Sequence, residues 1–174
     1  MLKFIVLSDI HLVPPGQTTY SIDTHARLRD AISHVNRLHS DAAFVVFAGD
    51  IAERGETDVY AAFFDALTHL SPPAYLTLGN HDDPAAFARD AAGKPPNLSQ
   101  TRHAIDAKGY RVIVLDSVSV EQGSAGFVSP AQLDWLSARL DDARDRPVIV
   151  ILHHNVAPLH VQTDTIMLTN AADL

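Results

Sequence analysis

The sequence predicts an α/β fold with a mostly parallel, right-handed β-α-β core, and three observations carry that reading. Short apolar runs such as Ala43–Phe47 and Ala74–Leu78 alternate with longer segments whose apolar residues recur at helical spacing. Several of those runs end in polar clusters, as strands do when the chain turns at a sheet edge. A further pair of runs, Thr101–Ile105 and Tyr110–Leu115, is joined by Asp106-Ala107-Lys108-Gly109 and reads as a hairpin, which makes the sheet mixed.

In chain order, Lys3–Leu7 is expected as a buried strand that stops at Ser8-Asp9-Ile10-His11. The prolines and glycine of Val13-Pro14-Pro15-Gly16 mark a loop. A helix follows over about Thr24–Leu38, with Leu28, Ala31, Ile32, Val35 and Leu38 on its apolar face. Ala43–Phe47 forms the second strand and ends in Ala48-Gly49-Asp50. The next helix spans about Thr57–Leu70, with Thr57 as N-cap and Tyr60, Phe63, Phe64, Leu67 and Leu70 as its core stripe. Pro72-Pro73 stops it, and the third strand, Ala74–Leu78, runs into Gly79-Asn80-His81-Asp82. Asp83 as cap and Pro84 in the first turn start a short helix to about Asp90. Gly93–Gln100 and Glu121–Gly126 read as loops. Ser129-Pro130-Ala131-Gln132 combines a capping-box spacing with proline at the first helical position, and that helix, reaching about Ala143, is expected to bury Leu133, Leu136 and Leu140. The last clear strand, Val148–Leu152, ends at His153-His154-Asn155, and the final twenty or so residues are weakly patterned.

At 174 residues and 47% hydrophobic composition, one domain with a real core is expected over 1–174. The absence of cysteine excludes disulfides and zinc–thiolate sites and suits a cytoplasmic location. The first apolar run is too short for a signal-peptide core, and no stretch approaches the ~18 apolar residues of a membrane span, so a soluble protein without a membrane partner is expected. A net charge of -8 repels a nucleic-acid backbone, so no nucleic-acid polymer is expected as partner. The same charge repels any anionic substrate unless local cations reverse the field. There is no cysteine nucleophile, G-x-S-x-G elbow or phosphate loop.

Four strand ends carry ligand-type residues: Asp9 and His11, then Asp50, then Asn80 and His81, then His153 and His154. Singly, Asp9 or Asp50 reads as a turn residue and His11 as a polar loop residue. Jointly, on parallel neighbouring strands, they meet at one sheet edge. On an extended chain Asp9 and His11 point to the same side and can grip one ion together. Carboxylate, imidazole and amide oxygen suit Mn, Fe, Zn or Co, and Asp50 can bridge two ions. Two ions ~3.5–4 Å apart serve in-line displacement at phosphorus by neutralising phosphate oxygens and generating a bound hydroxide at neutral pH. Asp82 is a candidate for orienting His81 or a ligand. His25, His34, His39, His69 and His103 read as surface or helix-face residues, and Trp135 as a packing residue.

The frames Leu7-Ser8-Asp9-Ile10-His11, Ala48-Gly49-Asp50-Ile51, Leu78-Gly79-Asn80-His81-Asp82 and His153-His154 resemble the successive motifs of calcineurin-like metallophosphoesterases. They look most like the bacterial branch with class III cyclic-nucleotide phosphodiesterases and glycerophosphodiesterases. The resemblance implies a sandwich of two mixed sheets flanked by helices and a dinuclear centre of divalent or trivalent transition-metal ions. It assigns Asp9 and His11 to the first ion, Asp50 to both, and Asn80 and His153 to the second. His81, beside the phosphate, would protonate the leaving group or stabilise developing charge. Asn80 and His81 would contact a small phosphodiester substrate, together with the loops Val13–Tyr20, Gly93–Gln100 and Glu121–Gly126. His154 is not expected to bind. The family's later Gly-His-x-His motif does not occur here, which reads as C-terminal truncation and implies weakened metal affinity and impaired catalysis unless another chain completes the site; self-association stays open. The alternative from another class is a catalytically impaired module that keeps the fold as a binding scaffold.

Overall fold

The computed structural model describes residues 1–174, apart from the side chain of Thr57. Eleven helices and strands are laid out as β1 (Ile5–Leu7), α1 (Thr24–Leu38), β2 (Val45–Ala48), α2 (Thr57–Leu67), β3 (Ala74–Thr77), α3 (Pro84–Ala91), α4 (Pro96–Ser99), β4 (His103–Ala107), β5 (Tyr110–Val114), α5 (Pro130–Ala143) and β6 (Val148–Ile151), with short 3-10 turns between and after them. The expected caps form where the side chains permit. Asp83 accepts from Ala85 N and Ala86 N, and Ser129 from Gln132 N; α1 adds a cap the sequence reading did not name, Asp23, which accepts from Ala26 N. The N-cap of α2 falls on Glu56, with no side-chain cap bond; the expected cap, Thr57, has its side chain outside the described residues.

The strands form two sheets, as the family resemblance implies, and not the single sheet edge that the residue pattern alone suggests. One has the order β1-β2-β3 with all strands parallel, and the other β4-β5-β6. The β4–β5 hairpin is antiparallel and β5–β6 parallel, so mixed direction is confined to the second sheet. Strand pairing is a long-range choice that apolar runs do not encode, which is why β6 could not be assigned from its own residues.

Alternation along β2 shows how the layers stack. Val45 and Phe47 pack against Leu28, Ile32, Tyr60, Phe63 and Phe87 of α1–α3. Phe44 and Val46 point the other way, onto Ile105, Val112 and Val114 of the second sheet. The far face of that sheet, with Ile113 and Leu115, meets Leu136 of α5. The order is therefore helices, sheet, sheet, helix, and both faces of β2 are buried, as a continuous apolar run requires.

Three expectations are corrected. Gly93–Gln100 contains the short helix α4, whose Asn97 amide donates to Ala74 O at the start of β3, the end opposite Asn80. Leu38 and Leu140 are exposed and Leu133 is half-buried, because each helix presents a narrower stripe to the sheets than its leucines suggest. His103 is buried, with Nε2 3.0 Å from Leu76 O between the sheets. Against α5, Arg111 forks onto Asp106 at 2.8 and 2.7 Å and donates to Arg139 O, tying the hairpin to the helix. Arg111 and Arg146 hold the Asp106 carboxyl down to about 2.

Candidate metal centre

The loops after β1 and β2 are zipped together by backbone bonds: Asp9 N to Gly49 O (3.1 Å), His11 N to Asp50 O (2.9 Å) and Leu12 N to Ile51 O (2.9 Å). Asp9, His11 and Asp50 all have left-handed backbone, with φ of 56°, 48° and 51°. The extended geometry expected for Asp9 and His11 is thus replaced by left-handed backbone at both positions, yet the side chains still meet, with His11 Nε2 3.7 Å from Asp9 Oδ1. Three non-glycine residues in that region cost on the order of 1–3 kcal/mol each, a strain that persists only where the surroundings enforce it.

Asp50 is the hub. It is 3% exposed. Its Oδ1 accepts from His81 N at 2.9 Å, while Oδ2 faces His11 Nε2 at 3.6 Å and His153 Nε2 at 3.4 Å. One carboxylate oxygen between two imidazoles suits a bridging ligand. His153 reaches across from β6 of the other sheet. Its Nδ1 lies 2.9 Å from Ala48 O, which fixes Nδ1 as the donor and leaves the Nε2 lone pair facing Asp50 Oδ2 and, at 3.2 Å, Asn80 Oδ1. The glycines permit this closeness: a Cβ on Gly49 would come within 2.6 Å of His153 Nδ1, and one on Gly79 would overlap Asp50 Oδ1.

Asp9, His11, Asp50, Asn80, His81 and His153 all line one cavity of about 340 Å³. The residues thus come together as the sequence predicts, from two sheets instead of one edge. Two ligand triplets share Asp50, namely His11–Asp50–His81 and Asp9–Asp50–His153, with donor atoms within 4.8 Å of one another. His81 Nδ1 is 2.7 Å from Glu53 O and so donates there, leaving Nε2 free. His154 turns away, its Nδ1 2.7 Å from Ser117 Oγ and its Nε2 3.2 Å from Ser124 O. Of the expected substrate loops, Thr19 and Tyr20 line the groove next to the cavity, whereas Gly93–Gln100 lies away from it.

Three residues at the site carry more than their sequence context indicates. Glu53 holds His81 through its carbonyl and places Oε2 3.0 Å from His11 Nδ1, without hydrogen-bond alignment. Asp82 is buried and accepts from Ile51 N, Ala52 N, Gly79 N and Tyr60 OH, so it braces the loops after β2 and β3 rather than orienting the His81 ring. Tyr60 OH in turn accepts from Asp83 N. The only signal for its role was a single hydroxyl in an otherwise apolar stripe.

The donor set fits cations. Buried oxygen and nitrogen lone pairs converge with no lysine or arginine among the lining residues. The field without ions shows the same demand. The His11 imidazole beside it holds the Asp9 carboxyl down to about 2, and Asp9 in turn raises His11. Burial opposes charge on both Asp50 and His153, but each outweighs that for the other, lowering the acid and raising the base. Metal uptake is therefore expected to release protons from His11 and His153, with affinity rising as pH rises through their raised values. Calorimetric titration of Mn²⁺ in buffers of different ionisation enthalpy reads the release directly; an absence of protons released near pH 6.5 would contradict it. The metal-free protein should show the converse. The two rings stabilise it below about pH 6.5, and that stability is lost as pH climbs through the raised values.

Fold and site together define a phosphoesterase-type α/β sandwich with a candidate metal centre at its strand ends. The chain belongs to the calcineurin-like phosphoesterase family, whose sequence profile matches residues 2–170. It is 35% identical to a protein of Rhodopseudomonas palustris named as a probable cyclic nucleotide phosphodiesterase, over 97% of this chain and 63% of that protein. It is 34% identical to a glycerophosphodiester phosphodiesterase of Enterobacter lignolyticus, over 94% of this chain and 61% of the relative. A 3',5'-cyclic adenosine monophosphate phosphodiesterase of Pseudomonas aeruginosa is 28% identical, over 89% and 56%. The chain thus spans between about half and two thirds of these relatives' lengths. Among solved structures, a purple acid phosphatase from yellow lupin seeds shares the fold, with a TM-score of 0.50 at 15% identity over 90% of this chain and 31% of that one. No helix of the described residues is long and apolar enough to cross a membrane.

Proposed function

We propose that this chain carries a metal-dependent phosphodiesterase centre that hydrolyses small phosphodiesters of the cyclic-nucleotide or glycerophosphodiester type. The observation that supports it best is the single oxygen Asp50 Oδ2 standing 3.6 and 3.4 Å from the imidazoles of His11 and His153. Asp9 and His11 would hold one ion, Asn80 and His153 the other, and Asp50 both. When bound, two such ions supply charge neutralisation for phosphate oxygens and an activated water at neutral pH. The chain's own residues do the rest. His153 is held in its ligating tautomer by Ala48 O, and Asn80 presents its amide oxygen to the same point. His81, with Nδ1–H spent on Glu53 O, offers Nε2 to carry a proton to the departing alkoxide.

The test adds Mn²⁺ or Zn²⁺ to the protein and follows hydrolysis of a generic aryl phosphodiester. His81→Ala is expected to lower kcat by roughly 10²–10⁴-fold for a substrate with a poor leaving group, as removal of a general acid does, with metal content retained. For a nitrophenyl ester, whose leaving group needs little protonation, the loss should be smaller. An unchanged rate on both substrates would remove His81 from its role.

A further inference from the structure

Beside the metal cavity, and sharing Asp9, His11 and His81 with it, lies a larger groove of about 870 Å³ between the loop after β1 and helix α1. Its walls are largely apolar, with Leu7, Ile10, Ile22, Leu28 and Ala31 among them. Three polar features there take no part in the chemistry above. Thr24, at the start of α1, is 6% exposed, lines the groove, and its Oγ1 has no hydrogen-bond partner. A hydroxyl buried that deeply without a partner costs on the order of 1–3 kcal/mol, so its isolation points to a group that is missing. Arg27 follows one turn later on the same face. It is the only lysine or arginine lining the groove, and among the described residues its side chain has no ion pair. Tyr20 stands at the groove on a two-residue hairpin closed by Thr19 and Ile22, 88% exposed.

At the helix terminus the amide of Ala26 is already capped by Asp23. The acidic residues of the groove, Asp9 and Glu53, belong to the metal centre. Ser8, Thr19, Tyr20, Gln162 and Thr163 add only neutral polar groups to the lining, so the charged handle is the guanidinium of Arg27, exposed at the groove and three residues from the buried Thr24 on the same helix face, where solvent partly screens a charge-assisted bond.

We infer that this groove is the subsite for one alcohol half of the substrate, and that Thr24 and Arg27 receive a second negatively charged group carried by that alcohol on an apolar, ring-sized body. This rests on the phosphodiesterase reading for where the phosphate sits. In a chain of net charge -8, a lone cation in that groove acts as a selector: it favours alcohols that bring an extra anion and gives nothing to those that do not.

The experiment uses two ligands that cannot be hydrolysed, because a methylene replaces the ester oxygen, on the full chain with Mn²⁺ present: benzyl(methyl)phosphinate and 4-carboxybenzyl(methyl)phosphinate, titrated by calorimetry. The carboxylated ligand should bind about two- to fivefold tighter, as one partly solvent-exposed charge pair allows. Arg27→Ala should bring the ratio of the two affinities to about one, and Thr24→Val should reduce it. Arg37→Ala removes the same charge from the exposed end of the same helix and should leave the ratio as it is. Equal binding of the two ligands by the unsubstituted protein, a ratio that Arg27→Ala does not change, or no binding of either ligand overturns the assignment. Hydrolysis of an aryl diester is followed separately. Its failure would count against the activity, while the binding ratio still decides the subsite.

Discussion

Asp50→Ala is expected to abolish turnover, lowering kcat/KM by roughly 10³-fold or more, because the several kcal/mol of charge stabilisation that a two-ion centre supplies translate into at least that factor. The reason lies in its two oxygens. Oδ2 is the atom shared between the His11 and His153 sides, and Oδ1 fixes the loop of His81 through its backbone N–H. Asp50→Asn separates the two effects: the amide oxygen can still accept from His81 N while the bridging charge is gone. Both variants should lose metal, measured by equilibrium dialysis and elemental analysis, and Asp50→Asn should keep near-native thermal stability in the absence of metal. Full metal content in Asp50→Asn would show that the ions do not need this carboxylate, and the centre would have to be redrawn around Asp9 or Glu53.

The second large effect is on stability. Asp82→Ala is expected to cost about 4 kcal/mol, the range for breaking a buried charge network, which for a chain of this size is a drop in Tm of roughly 8–16 °C. The carboxylate is the common acceptor for Ile51 N, Ala52 N, Gly79 N and Tyr60 OH, so its loss leaves three buried N–H groups and a hydroxyl without their partner. Burial pushes its pKa up, while the donors around it pull the other way. Because Ile51 and Gly79 flank Asp50 and Asn80, metal affinity should fall as well, by roughly 10–100-fold as for other residues that position ligands. Tyr60→Phe removes one donor and keeps the ring in the core, and should cost about 1 kcal/mol. Denaturant titration of the metal-free variants measures both. A loss under about 1 kcal/mol for Asp82→Ala would mean that the loops after β2 and β3 are held by their backbone bonds alone.

Much of this molecule is local chemistry and was legible as such. Helix α1 runs from Thr24 to Leu38 as its apolar spacing predicts, Asp83-Pro84 and Ser129-Pro130 start helices as caps with proline at the first position, and β2 is a continuous apolar run because both its faces are covered. The ligand types at the strand ends were readable for the same reason: carboxylate, imidazole and amide placed where strands stop have few other uses in combination.

Tertiary structure decided how those ends meet. Side-chain periodicity marks β6 as a strand but does not say that it pairs with β5 in a separate sheet, and only that pairing brings His153 across to Ala48 O and Asp50. The left-handed turns at Asp9, His11 and Asp50 replace the extended geometry that spacing suggests, since the bonds between neighbouring loops, not the residues' own preferences, set their φ. His103, Glu53 and Tyr60 took on roles that depend on what folds against them. Which residues can hold a cation is written in side-chain chemistry, one position at a time; which of them share one is set by contacts between segments far apart in the chain, such as the His153–Ala48 bond across 105 positions, and those exist only in the folded chain.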